Sequence, residues 1–253
     1  MRARRRCSLC VLCSLCVLVA STAPACSSTS GLFRQYEYEE EMYLSLDGSA
    51  TIYVNSSMAA LNALRGTSFD ARESARVDRE TVRRYFTTPA TRVGRVTTSR
   101  RRGRQYVHVR VETDDITRLA EAAPFAWSSY SLSRSGETVT YKQVVDGGPA
   151  SRPPDSSAEW AGDELVAFRV HIPSVVEYHN AGAENLRRGN IVVYEQSLKD
   201  RLGAQPLDIE VRMEPRSILY STLILFASMF AAVAVLFGLV IWRVVRRGQK
   251  KGG

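Results

Sequence analysis

The feature that most constrains this chain is its last 36 residues: an uncharged apolar run from Ile218 to Trp242, then Arg243, Arg246, Arg247, Lys250 and Lys251. The 25 residues of the run make a helix of about 37 Å, enough to cross a hydrocarbon core of about 30 Å. The pattern predicts a transmembrane helix over 218–242. The five cations behind it predict a cytoplasmic tail over 243–253, because short Lys- and Arg-rich flanks are retained on that side during insertion. All that precedes Ile218 is then expected outside the cytoplasm, in a single-pass protein of a bacterial cell membrane. Small residues at Ala227 and Ala231, and at Ala234 and Gly238, also allow a homo-oligomer through this helix.

The other end agrees. Arg2, Arg4, Arg5 and Arg6 precede an apolar stretch from Cys7 to Ala20 and the small-residue site Ala23-Pro24-Ala25, the three parts of a secretory signal peptide over 1–25. An uncleaved N-terminal anchor is the rival reading. Cys26 follows, then Ser27-Ser28-Thr29-Ser30-Gly31, and residues 26–35 read as a polar tether. The arrangement resembles that of bacterial lipoproteins, with Cys26 as the lipidated first residue; the alternative is ordinary cleavage and an unmodified thiol. Cys7, Cys10, Cys13 and Cys16 are the other cysteines. Their even spacing looks like metal ligation, but they lie in the segment expected to be removed. The exported domain is therefore expected to contain neither disulfide nor thiol chemistry.

Charge is distributed unevenly. Nine of the 34 Lys and Arg lie in the two ends, leaving 25 against 26 Asp and Glu in the exported part. That near-neutral balance argues against nucleic acid as a partner. Within it, residues 65–110 hold 13 arginines against Asp70, Glu73, Asp78 and Glu80. Arg100, Arg101, Arg102 and Arg104 are the densest piece. Such a run is either a solvated hairpin tip or a contact with anionic headgroups or an envelope polymer, each cation near such a surface adding about 1 kcal/mol.

Residues 36–217 are enough for one domain. From Tyr36 to Asn55, apolar and polar residues alternate around Asp47-Gly48, which predicts a β-hairpin. Asn55-Ser56-Ser57 offers a cap for a helix from Met58 to Leu64 stopped by Gly66, and Val77 to Phe86 reads as a second helix. Thr91 to Thr98 and Arg104 to Val111 read as strands flanking the arginine-rich tip. Asp114-Asp115 caps a helix from Ile116 to Ala123, ended by Pro124. Ser128 to Ser133, Glu137 to Val145, Glu164 to Ile172, Gly189 to Leu198 and Pro206 to Met213 are further strand candidates. The expected class is α+β, a mostly antiparallel sheet with a few short helices on one face. The Pro-, Gly- and Ser-rich stretch over 146–160 reads as a long loop inside one domain.

The catalytic inventory is thin. The three histidines, His108, His171 and His179, sit in no zinc-binding motif, and no nucleophile elbow, Walker loop or dinucleotide-type glycine loop appears. A metal site drawn from His171, Glu177 and His179 lacks a tight ligand pair and a fourth ligand, and reads instead as a strand end and turn. No enzyme activity, cofactor or metal is expected. Phe125, Trp127 and Tyr130 form an aromatic cluster that reads as core, or alternatively as the lining of a groove for an amphipathic ligand.

Three segments carry a family resemblance: the hairpin around Leu46-Asp47-Gly48-Ser49; Asp115-Ile116-Thr117-Arg118-Leu119 leading into Tyr130-Ser131-Leu132-Ser133-Arg134-Ser135-Gly136-Glu137; and His171-Ile172-Pro173-Ser174-Val175-Val176 running to Asn180. With the export signal, the single span and the basic tail, they make the chain resemble the LppM-type envelope proteins of mycobacteria. The resemblance implies a membrane-tethered extracytoplasmic domain whose relatives have been considered binders of envelope lipids or glycolipids, with no catalytic residues to transfer. A lipid- or glycolipid-binding, non-enzymatic domain is the leading expectation. The second is a module presenting the tip from Arg95 to Arg104 to a partner protein or anionic envelope polymer.

Overall fold

The computed structural model describes residues 34–146, 159–182, 185–187 and 189–249. The expected signal peptide, Cys26, most of the tether and most of the 146–160 loop lie outside the described residues. The first elements follow from local rules. Strands β1 (Tyr36–Leu44) and β2 (Ala50–Ser57) pair antiparallel, with Met42 opposite Ile52. Gly48 turns the chain at φ +89°, a conformation open mainly to glycine. Helix α1 (Met58–Arg65) starts where the Ser57 side chain accepts from the Ala60 amide and stops at Gly66, in the left-handed conformation. Helix α2 (Arg79–Phe86) is capped by Asp78 and buries Val82 and Phe86.

Strands β3 (Arg92–Arg101) and β4 (Arg104–Thr113) form the arginine-rich hairpin, with Arg102 and Gly103 at φ +46° and +76° in its turn. Asp115 caps a short 3-10 helix, Ile116–Glu121, where the sequence predicts an α-helix. Strands β5 (Ser128–Ser135), β6 (Thr138–Val145), β7 (Leu165–His171), β8 (Ser174–His179), β9 (Leu186–Arg187) and β10 (Ile191–Ser197) follow, then helix α3 (Leu198–Leu202) and strand β11 (Leu207–Ser217). Helix α4 (Ile218–Gln249) ends the described chain and continues past Trp242, so part of the expected tail is helical.

The class is α+β, but the strands divide into two sheets. One has seven strands in the order β3-β4-β2-β1-β7-β10-β9, the other four in the order β5-β6-β11-β8. The pairing of β1 with β7 is parallel and the other named pairs are antiparallel. One core joins both sheets and the helices: Met42, Ile52, Val109 and Phe168 of the larger sheet share it with Tyr141, Val211 and Met213 of the smaller and with Leu61 and Phe86 of the helices. A single sheet was expected because local patterning marks strands without assigning partners. The antiparallel match of β2 to β4 and the parallel match of β1 to β7, more than a hundred residues apart, decide which strands join the first hairpin.

Candidate functional site

Three places bear on function: the polar centre between the sheets, the arginine hairpin and the C-terminal apolar helix. Along β1, Tyr38, Glu40, Met42 and Leu44 share the buried face, so Glu40 occupies an apolar position and is only 2 % exposed. Its carboxylate accepts from the Tyr38 hydroxyl (3.0 Å), the Tyr130 hydroxyl (3.1 Å) and Gln143 Nε2 (3.1 Å). Tyr130 and Gln143 belong to the smaller sheet, so these bonds cross from sheet to sheet. Burial pushes the Glu40 carboxyl above its ordinary range, opposed by Arg65 and by the three donors.

Arg65, at the end of α1, places its guanidinium 2.9 Å from the Trp127 ring centroid and donates to the Tyr38 hydroxyl at 2.8 Å. The fully buried Arg201 approaches Trp127 at 5.5 Å and donates to the carbonyls of Val145 and Asp146 and to Gln196 Oε1. Phe125 packs edge-on against Phe86, with centroids 6.2 Å apart. Phe125, Trp127 and Tyr130 are all buried core residues, so none of them lines an open groove. Sequence reasoning missed Glu40, Arg65 and Arg201. A carboxylate in register with buried apolar residues was the readable signal for Glu40; nothing local marks the two arginines.

The four arginines of the hairpin part company. Arg100, Arg101 and Arg102 are exposed. Arg100 donates to the Glu73 carbonyl at 2.7 Å, Arg102 to Gln35 Oε1, and Arg101 lies 5.6 Å from the Tyr106 ring. Arg104 instead turns inward: it pairs with Glu37 at 3.3 Å and Glu164 at 3.7 Å, both buried, and stacks 4.4 Å from the Trp160 ring. For Glu164, burial raises the carboxyl, but the amides of Ala161 and Gly162, together with Arg104, outweigh it and hold it low. Between the 74–80 segment and the hairpin lies an open cleft of about 820 Å³, lined by Arg76, Arg79 and Arg100 alongside Asp78 and Glu80.

The histidines are structural neighbours of polar partners. His108 bonds Asn55 and Ser99, and His171 bonds Glu41 at 2.6 Å. His171 and His179 stand on strands of different sheets. Among the described residues, no group of three or more His, Cys, Asp and Glu is arranged to hold a metal. His171 ends β7 and His179 ends β8, with bends at Asn180 and Ala181, in keeping with the strand end and turn read from the sequence; strand β8 itself (Ser174–His179) is not among the expected strands. Asn180 ties it to β11, accepting from the Glu210 amide (2.9 Å) and donating to the Asp208 carbonyl (2.9 Å).

The hairpin and the C-terminal apolar helix stand at opposite ends of the larger sheet. At one end Gln35 bonds both Arg102 and the Leu165 amide, and Arg104 reaches Glu164 just before β7. At the other, two residues beyond β7, the Pro173 carbonyl accepts from the Ile218 amide at 3.0 Å and Ser174 bonds the Arg216 carbonyl. The seven residues of β7 set the two ends about 23 Å apart. Helix α4 is long and apolar enough to cross a membrane over Ile218–Arg243, and none of that stretch is buried.

No family model and no curated protein matches the chain. Among solved structures, the NMR structure of the folded domain of the Mycobacterium tuberculosis LppM protein is similar, at 15 % identity and a TM-score of 0.40, covering 72 % of this chain and 92 % of that one. It is a protein of the type whose motifs the sequence resembles, at a likeness too distant to transfer the role of any residue.

Proposed function

We propose that the protein is a membrane-anchored, extracytoplasmic binding protein without catalytic activity, whose arginine-bearing pole engages an anionic component of the cell envelope. The observation that carries this reading is the placement of exposed Arg100, Arg101 and Arg102 at the end of the sheet away from the membrane helix. Cations held about 23 Å from the exit of the span reach material that stands off the anchoring bilayer. Charge attraction there is long-ranged and weakened by salt. A lipid or glycolipid ligand fits this reading through an anionic headgroup rather than through Phe125, Trp127 and Tyr130, which fill the core.

The test uses full-length protein in nanodiscs of neutral phosphatidylcholine, offered either soluble poly(glycerol phosphate) or phosphatidylglycerol vesicles. Arg100→Glu, Arg101→Glu and Arg102→Glu together are expected to abolish capture at low salt while leaving the melting temperature unchanged. Which of the two probes the parent retains separates a polymer from a lipid source. Equal capture by parent and variant would overturn the proposal.

A further inference from the structure

We infer that the aromatic patch of Tyr43, Tyr53 and Val175 rests on the headgroup layer of the bilayer that α4 crosses, fixing the domain upright with its arginine pole outward. This rests on the reading of α4 as a membrane span. Before Ile218, the large hydrophobic side chains exposed among the described residues are Tyr43 (42 %), Tyr53 (37 %), Val175 (50 %) and Tyr178 (45 %). Tyr178 lies further along β8 under the guanidinium of Arg212, 4.8 Å from its ring, but the other three lie towards one end of the sheets. Tyr43 lies one residue from the end of β1, opposite His171, the last residue of β7. Its ring stacks on His171 at 3.8 Å and meets Tyr53 edge-on at 5.6 Å.

Two residues beyond His171, Pro173 holds the first amide of α4, and Val175 follows two residues later. The chain from His171 through that hydrogen bond covers at most about 13 Å. The patch therefore lies beside the point where the span leaves the domain.

The span itself locates the interface. Tyr220 and Trp242 are 22 residues apart, about 33 Å along a helix, which matches a hydrocarbon core of about 30 Å flanked by aromatic side chains. Arg246 stacks 4.9 Å from Trp242 at the far end. With Tyr220 at one boundary, Ile218 lies in the headgroup layer, and the neighbouring Tyr43 and Val175 are held at its edge. Tyrosine suits this place because its ring is apolar and its hydroxyl stays hydrated. The cation facing Tyr53 across the strands, Arg110, is paired with Glu112 at 2.8 Å, so the contact depends little on lipid charge, unlike capture by the arginine hairpin.

The experiment is backbone NMR of the full-length protein in neutral phosphatidylcholine nanodiscs doped with a lipid bearing a gadolinium chelate on its headgroup. A lipid with a spin label on its chain is the control for the span. The inference expects loss of the amide signals of Tyr43, Tyr53 and Val175 with the headgroup probe, retention of those of Arg101 and Gly103, and loss of the mid-span signals with the chain probe. Chain-probe losses in the span with intact signals at Tyr43, Tyr53 and Val175 would overturn the inference and leave the anchor standing. Intact mid-span signals with the chain probe would overturn both. The variant combining Tyr43→Ser and Tyr53→Ser should lose the orientation, so that headgroup broadening spreads to Arg101 and Gly103; signals there that stay unbroadened in the variant would count against the patch.

Discussion

The guanidinium of Arg65 lies 2.9 Å from the ring centroid of Trp127, joining the end of the first helix to the segment that leads into the smaller sheet. Arg65 also donates to Tyr38 and offsets the charge of Glu40, so one side chain serves an aromatic, a hydroxyl and a buried carboxyl. Arg65→Met keeps the aliphatic bulk and removes the charge. Loss of the cation–ring contact and of one hydrogen bond is expected to cost about 1–3 kcal/mol in urea unfolding, with a change in Trp127 emission. Unaltered stability would mean that the contact is incidental.

Glu40 makes the fold sensitive to pH in a direction opposite to most carboxylates. Its pKa is raised by burial in the folded chain, so between the ordinary value and the raised one the folded state holds more protons than the unfolded state. The stability it contributes is present below the ordinary value of 4.5 and is lost as pH rises towards the raised one. Asp70, Asp78 and Asp114, whose pKa values are lowered by hydrogen bonds to neighbours, act in the opposite sense. The comparison therefore has to be made against Glu40→Gln, whose stability relative to the parent is expected to increase from pH 4.5 to pH 8. A constant difference across that range in urea titrations would contradict the assignment.

Arg104 and its neighbours in sequence separate structural from displayed charge. Arg104→Ala leaves Glu37 and Glu164 buried without their cation, and an uncompensated buried charge costs about 3 kcal/mol. Arg101→Ala and Arg102→Ala, at exposed positions, are expected to stay within about 0.5 kcal/mol. Chemical denaturation of the three variants checks this. Equal effects would remove the distinction.

Much of this was legible in short stretches of sequence. Alternation around Asp47-Gly48, the Ser57 cap and the Gly66 stop each lie within a few residues of the element they define, and the apolar run after Ser217 needs no tertiary information. What escaped depends on distant partners. Strand β8 is an edge strand whose Val175, Glu177 and Tyr178 are exposed or nearly so, and its pairing with β11 supplies what its own pattern lacks. Strand β11 runs on through Pro215 because its ladder is already interrupted between Met213 and Ser217, where a proline removes no bond. Arg100 and Arg104 look alike in sequence. Only the fold brings Glu37, Trp160 and Glu164 around the second.

Replacing Ala231 in the middle of α4 by arginine places a charge at the bilayer centre, at a cost of about 3 kcal/mol to insertion. Ala231→Arg is expected to move a large share of the protein from the membrane fraction to the soluble or degraded pool, whereas Tyr220→Arg, at the boundary, is expected to have little effect. Equal membrane retention of both variants would show that α4 does not span.

The account turns on a domain outside the cytoplasm and a tail inside it. Labelling of single cysteines with a membrane-impermeant maleimide in intact cells tests this most directly, with the parent protein as the blank for Cys26. Ser135→Cys, at the exposed end of β5, is expected to label in intact cells, and Gly252→Cys only after permeabilisation. Labelling of Gly252→Cys in intact cells, with Ser135→Cys protected, would invert the topology and contradict the account.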